Sequence, residues 1–370
     1  MNFRGYTTLM SPEAMKLPYL ETLLSWSRVC ETISICYSKF PKMDVKVPEG
    51  AVTPWEDDNS LEILQQFDRD VLGNKLNILV GHEWDPNEPL EDGITKQLAR
   101  SHAFKLMGKD PLGWAFQFDA DEILRDGDEL RILQECCDDN DKPMDKRKPF
   151  VLTGILEFFG SADAVRFGFG NWTKIRGTRN IPEIFHGLPL RMGNAAVRTK
   201  NPRTGKIVSK ENRDDGAGFI SALDFTRPDY NAGLWLFNPQ VLNMMGQVRV
   251  QVPDEQRSQI WPQVTTAMLQ DIGQGGVWLY HTSWIDIARK WRMGWHFDNF
   301  FSVLAGRQDT YIEKADAKGE FTHVGCPPAD KLEEALRVEL NRPEIQPLKG
   351  TIPTPSVFET VATWRNKVGL

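Results

Sequence analysis

The chain has 370 residues, 41% of them hydrophobic and 26% charged, which is ordinary for a globular protein and enough for one large core or two modest ones. Its formal net charge of −7 excludes a global basic field that would recruit nucleic acid. Five cysteines (Cys30, Cys36, Cys136, Cys137 and Cys326) form no CxxC pair, which predicts a reducing, cytoplasmic setting rather than a disulfide framework.

In chain order, Gly5 to Met10 reads as a strand. Ser11-Pro12-Glu13 then has the form of a helix start, with a capping serine and proline at the first helical position. Leu17, Leu20, Leu23, Leu24 and Val29 extend that helix to about Cys30, and Ile33 to Tyr37 is a second strand. After a polar loop, Leu61 to Phe67 resumes helical spacing, and Leu76 to Val80 is a third strand. Glu91 to Met107 is a helix with Ile94, Leu98, Ala99, Ala103, Leu106 and Met107 on one side. Trp114 to Phe118 is a fourth strand, running straight into Asp119-Ala120-Asp121-Glu122. This alternation of strand and helix predicts a parallel sheet flanked by helices.

Beyond residue 150 the rhythm changes. Phe150 to Phe159 reads as a strand, a Gly- and Arg-rich region reaches to about Gly218, and Asp214 to Leu223 reads as a short helix. Gly276 to Tyr280 is a strand leading into His281. From Trp284 the pattern is helical and aromatic, and the last 45 or so residues read as two helices, about 329–340 and 355–367, joined by a Pro-rich link. No apolar stretch of about 18 residues occurs, and the N-terminus lacks the pattern of a secretory signal, so no membrane span is expected. Two basic clusters stand out, residues 198–213 and Lys142 to Lys148. Such runs are either solvated loops or grips for a polyanion.

In an open parallel sheet, ligands sit beyond the carboxyl ends of the strands. Asp119 and Asp121 stand there, two carboxylates one residue apart that repel unless a cation lies between them. Hard oxygen ligands of this kind suit Mg²⁺ or Mn²⁺; the alternative is an acidic turn before the helix that starts near Gly127. His281, at a later strand end, is either a structural histidine or a third ligand. Arg289 and Lys290 follow it and offer charge for a diphosphate, while Arg292 reads as helix surface. Lys96 and Arg100, four residues apart on one helix face, form either a solvated stripe or an anion contact.

Several blocks in order carry a resemblance. They are Met15 to Ile33, Asp57-Asp58-Asn59-Ser60, Asp92 to Arg100, and Gln117-Phe118-Asp119-Ala120-Asp121-Glu122, with islands at His186-Gly187, Asp214-Asp215-Gly216 and His281-Thr282-Ser283-Trp284. Together they resemble the family 2 type glycosyltransferases with the GT-A fold, especially stand-alone members of bacteria and phages. That resemblance implies a Rossmann-like, mostly parallel sheet with a helical C-terminal extension. It divides the chain into a catalytic domain at 1–282, with a nucleotide-sugar half at 1–125 and an acceptor half at 150–282, and a helical region at 283–370. It also implies that Asp57 or Asp58 contacts the nucleoside and that Lys96, Arg100 and Asp119 lie near the donor. Asp119, Asp121 and His281 would hold Mn²⁺ or Mg²⁺.

The family usually has an aspartate directly after its second strand. Tyr37-Ser38 stands there instead, which leaves Tyr37 as a stacking partner for the base. An inverting transfer needs a base on the acceptor side. Asp215 and Asp214 are the candidates, one of them equally suited to capping the expected helix, with His186 a weaker one.

The activity so implied is transfer of a sugar from a nucleotide-sugar, a UDP-sugar by preference, to an acceptor hydroxyl. The acceptor would be a glycan, a small molecule or a hydroxymethylated base of phage DNA, and in the last case the setting is the host cytoplasm. Sugar-phosphate nucleotidyl transfer is the rival chemistry, but the loop after the first strand lacks the glycines and basic groups that a triphosphate needs. A non-catalytic binding module is the third reading.

Overall fold

A computed structural model describes residues 2–39, 58–80, 102–103, 105–108, 110, 112–167, 173–179, 233–287, 332–348 and 352–370, with the backbone of 184–186 and 219–221. The protein is a mixed α/β structure. Strands β1 (Phe3–Met10), β2 (Thr32–Ser38), β3 (Leu76–Val80) and β4 (Trp114–Gln117) form a parallel block in the order β3-β2-β1-β4. All but one residue of β2 is buried, as expected for an inner strand covered on both faces. Helices α1 (Tyr19–Trp26) and α2 (Ser60–Phe67) connect this block.

The chain then makes a two-residue strand β5 (Glu122–Ile123) and helix α3 (Asp128–Asn140), before β6 (Phe150–Phe159), β7 (Ala164–Arg166) and β8 (Thr173–Arg179). Antiparallel β8 bridges β4 to β6 and so joins the two halves into one sheet. Strands β9 (Ile184–His186) and β10 (Phe219–Ser221) form a separate antiparallel pair, whereas β11 (Gly233–Trp235) runs parallel to β6. Helices α4 (Pro239–Gln251) and α5 (Asp254–Gly273) lead into β12 (Trp278–Trp284). β12 lies parallel to β6 and antiparallel to β5. Gly154 allows that close seating: a Cβ there would stand 2.4 Å from ring atoms of Trp278.

Two apolar layers cover the sheet, as a two-faced sheet requires. Leu20, Leu23, Trp26, Ile33, Phe116 and Phe118 belong to one; Leu152, Leu156, Trp261, Val264, Trp278 and Tyr280 belong to the other.

The expected strands over residues 3–118 and 150–159 are present, with ends shifted by a residue or two. Three expectations are corrected. The first helix does not start at Ser11: residues 11–16 form turns, with Ser11 (φ 36°) and Lys16 (φ 51°) in left-handed conformations, and helix begins at Tyr19. The Ser11 hydroxyl that would cap a helix donates instead to Asp58 Oδ2 at 3.1 Å, and Glu13 is held by Tyr19 and Arg365. Tertiary partners outweigh the local capping preference. The expected helix at 214–223 is strand over Phe219–Ser221, an aromatic and β-branched run that pairs with Ile184–His186. The strand before His281 starts at Trp278 and continues to Trp284, so His281 lies within it. Of the expected 91–107 helix, residues 102–103 and 105–107 are helical, with Ala103 and Met107 buried; residues 91–101 lie outside the described residues.

The two C-terminal helices are present as α6 (Leu332–Leu340) and α7 (Val357–Val368), with a short strand β13 (Ile345–Pro347) on β7 between them. α7 packs on α1 and α2. Trp364 meets Phe67 edge-on at 4.9 Å and donates to Asp70 Oδ2 at 3.1 Å. Arg365 grips both oxygens of Glu13 at 2.9 and 2.7 Å. Trp364→Ala is therefore expected to destabilise the protein by about 3–5 kcal/mol in urea titration, through the cavity it leaves against α2. An unchanged midpoint would mean that α7 contributes nothing to the core.

Candidate functional site

The site is built on the segment that leaves β4. From Phe118 to Glu122 every backbone carbonyl accepts a hydrogen bond. Thr7 Oγ1 donates to Phe118 at 2.7 Å, the Glu122 amide to Asp119 at 3.3 Å, and Thr22 Oγ1 to Ala120 at 3.0 Å. Thr282 gives both its amide (3.1 Å) and its hydroxyl (3.3 Å) to Asp121, and Trp26 Nε1 donates to Glu122 at 3.0 Å. Donors from β1, α1 and β12 thus fix an irregular segment as firmly as a strand, and its side chains are held before any ligand arrives.

Those side chains divide into two groups. Asp121 Oδ2 lies 3.3 Å from His281 Nε2, and the other ring nitrogen, Nδ1, lies 2.6 Å from Glu157 Oε1. Sheet register makes this arrangement. His281 stands opposite Glu122 on β5 and opposite Glu157 on β6, and the β6–β12 register shifts just after it, between His281 and Trp284. Such irregularities re-aim a strand beside functional sites; here Thr282 is the residue that docks onto Asp121. Burial alone would pull the His281 pKa down, but the carboxylates of Asp121 and Glu157 hold it up at about 9.

Asp119 and Glu122 form the second group, with Lys174 and Arg176 from β8. Lys174 Nζ is 2.8 Å from Glu122 Oε1 and 3.2 Å from Asp119 Oδ2. Arg176 bridges the same two acids and also donates to Gln117 Oε1, while Gln117 Nε2 donates to Asp119 Oδ1 at 2.9 Å. Glu122 and Arg176 are fully buried. Burial would lower the pKa of both cations; the two carboxylates more than offset it and hold both above their usual values.

Among the described residues, the three expected ligands do not converge as one set. Asp121 and His281 meet, whereas Asp119 turns to Lys174 and Arg176 because two buried cations attract it. The donor chemistry nevertheless suits a divalent cation. A 3.3 Å gap between Asp121 Oδ2 and His281 Nε2 is close to the roughly 3 Å that separates adjacent ligands on an octahedron with arms of about 2.1 Å. Charge agrees: four carboxylates (Asp119, Asp121, Glu122, Glu157) face two permanent cations (Lys174, Arg176), which leaves one negative charge with His281 as imidazolium and two once a bound cation takes the place of its Nε2 proton.

Asp58 stands near the carboxyl ends of β1 and β2. It accepts from Tyr37 Oη at 2.5 Å, Ser11 Oγ at 3.1 Å, and the Ser60 amide (3.2 Å) and hydroxyl. Tyr37 is 2% exposed, so it orients Asp58 rather than offering a stacking face. Asp57, Lys96, Arg100, Asp214, Asp215, Arg289 and Lys290 lie outside the described residues, as does the basic loop 198–213; of His186 only the backbone, in β9, is described.

Sequence reasoning missed Lys174, Arg176 and Glu157. The signals were present. Lys174 and Arg176 alternate on one face of a strand, and Glu157 is the only charged residue in a ten-residue apolar run.

No protein-family model matches the sequence, and no curated protein matches it. Similar solved structures include S. aureus TarS 1–349, at 10% identity and a TM-score of 0.28 over 87% of this chain and 93% of that one. The same fragment in complex with UDP gives a TM-score of 0.29, and in complex with UDP-GlcNAc 0.28, both at 10% identity and the same coverage. Scores of this size are too low to carry an assignment, and the architecture of this chain rests on its own strand pairings.

Proposed function

We propose that the protein is a metal-dependent glycosyltransferase that moves a sugar from a nucleotide-sugar to an acceptor hydroxyl, with inversion. The observation that carries this reading is the Asp121–His281 pair. It sits at the carboxyl edge of the parallel block, on a segment anchored at every carbonyl, with net negative charge around it. Asp121 and His281 would hold Mn²⁺ or Mg²⁺, which supplies Lewis acidity for the departing diphosphate. Asp119, restrained by Lys174 and Arg176 with its side chain 35% exposed, would face the donor. Asp58, held by Tyr37, Ser11 and Ser60, would meet the nucleoside by exchanging one of those hydroxyl donors for a nucleoside hydroxyl. In this reading Lys96, Arg100, Arg289 and Lys290 neutralise the donor phosphates, and Asp215 or Asp214 takes the acceptor proton.

Nucleotidyl transfer is less well supported. The turn after β1 carries Glu13, paired with Arg365, and lies beside Asp58. A triphosphate there would meet two carboxylates.

Release of UDP from a panel of UDP-sugars, with and without acceptors, tests the proposal. The expected result is slow hydrolysis with Mn²⁺ that stops with chelator and accelerates with the right acceptor class: glycan, small hydroxyl compound or hydroxymethylated DNA. Full activity in chelator would remove the metal from the proposal. Pyrophosphate release from a nucleoside triphosphate and a sugar phosphate would replace it with nucleotidyl transfer.

A further inference from the structure

The proposed function leaves Glu157 unused. β6 reads Phe-Val-Leu-Thr-Gly-Ile-Leu-Glu-Phe-Phe, and Glu157 is its one charged residue, with its side chain 12% exposed. Placing a carboxylate in such a strand costs several kcal/mol of hydration unless a partner answers it. Among the described residues that partner is His281 Nδ1 at 2.6 Å, on the neighbouring strand and in register. His281 therefore stands between two carboxylates, with one nitrogen on each. Asp121 is on the segment after β4; Glu157 is set back within the sheet.

We infer that Glu157 is a positioning residue for the cation site: it fixes the His281 ring and keeps Nδ1 protonated, so that the Nε2 lone pair is presented beside Asp121. This inference rests on the cation reading of the previous section. An imidazole offers one lone pair in its neutral form, and the hydrogen bond made by one nitrogen decides which nitrogen carries it. Carboxylates paired in this way with ligating histidines also raise ligand basicity and hold the ring plane. Parallel β6–β12 pairing supplies the rigidity, because Gly154 and Trp278 interlock three residues earlier in the same register. A ring free to rotate about χ2 would spend part of its time with the wrong nitrogen toward Asp121.

The test is Mn²⁺ binding by calorimetry on the full chain, with Mn²⁺ alone as the probe. The wild-type protein is expected to bind, Asp121→Asn to lose binding, and Glu157→Ala to bind roughly 10–100-fold more weakly. Glu157→Gln, whose amide oxygen can still accept from Nδ1, is expected to recover most of that loss. Wild-type affinity in Glu157→Ala, with Asp121→Asn inactive in binding, overturns the role of Glu157 and leaves the cation site standing. No binding by the wild-type protein overturns the cation site itself, and this inference with it. A second measurement needs no variant at Glu157: ¹⁵N NMR of labelled histidine in the wild-type protein with Mg²⁺, assigned by loss of the signal in His281→Gln. A proton on Nδ1 and none on Nε2 are expected; the opposite tautomer overturns the inference even if Mg²⁺ binds.

Discussion

Asp121→Asn is expected to lower donor-dependent transfer and donor hydrolysis by roughly 10²–10³-fold, the scale seen when a group that stabilises developing charge is removed. His281→Ala is expected to do the same. Both changes act on the 3.3 Å pair at the sheet edge. Asp121→Asn should leave the fold intact, since the segment is held through main-chain carbonyls, whereas His281→Ala also takes away the partner of Glu157 and should cost stability as well. Thr282 binds the Asp121 carbonyl, which Asn retains. The unfolding free energy of Asp121→Asn in chelator should therefore move little, by about 1 kcal/mol or less, because the amide keeps the shape of the carboxylate it replaces. Steady-state UDP release and urea unfolding on the same preparations separate the two effects. Undiminished turnover in Asp121→Asn would show that the donor diphosphate is held elsewhere.

A second large effect is expected in stability. Arg176→Met removes a fully buried guanidinium and leaves Glu122, also fully buried, with Lys174 and the Asp119 amide. Breaking a buried ion network in this way costs about 3–5 kcal/mol. Glu122→Leu leaves Arg176 with Asp119 and Gln117 and is expected to cost a similar amount. Because each single variant leaves the other buried charge short of its nearest counter-charge, the double variant should lose about 0.5–3 kcal/mol less than the sum of the two, by urea unfolding. Losses that simply add would mean that the two groups are independent, against the geometry. Activity should fall as well, because the same cations restrain Asp119.

What was legible in the sequence follows the range of the forces involved. β1 to β4 and β6 are apolar runs of the right length, and Asp119 to Glu122 directly follow one of them, so both the sheet and its acidic edge could be read from local pattern. His281 was legible as a polar residue at the end of such a run. The turn at Ser11 was not, because Asp58 and Arg365, which hold it, come from distant parts of the chain. Lys174 and Arg176 share a strand face that the sequence shows, but their partners were hidden for the same reason. They reach Glu122 only because β8 runs antiparallel between β4 and β6, with a register shift at Val151/Leu152 that no local pattern specifies. The partition of the carboxylates follows from that pairing. Asp119 and Asp121 look equivalent in the sequence, yet one faces two cations and the other an imidazole.

The central claim is that the Asp121–His281 edge binds a divalent cation and a nucleoside diphosphate together. UDP binding by calorimetry, with Mn²⁺ and then with chelator, tests it most directly. The account predicts UDP affinity at least about tenfold tighter with Mn²⁺, a coupling near 1.4 kcal/mol or more, and no such gain in Asp121→Asn. Equal affinity with and without Mn²⁺ in the wild-type protein would contradict it.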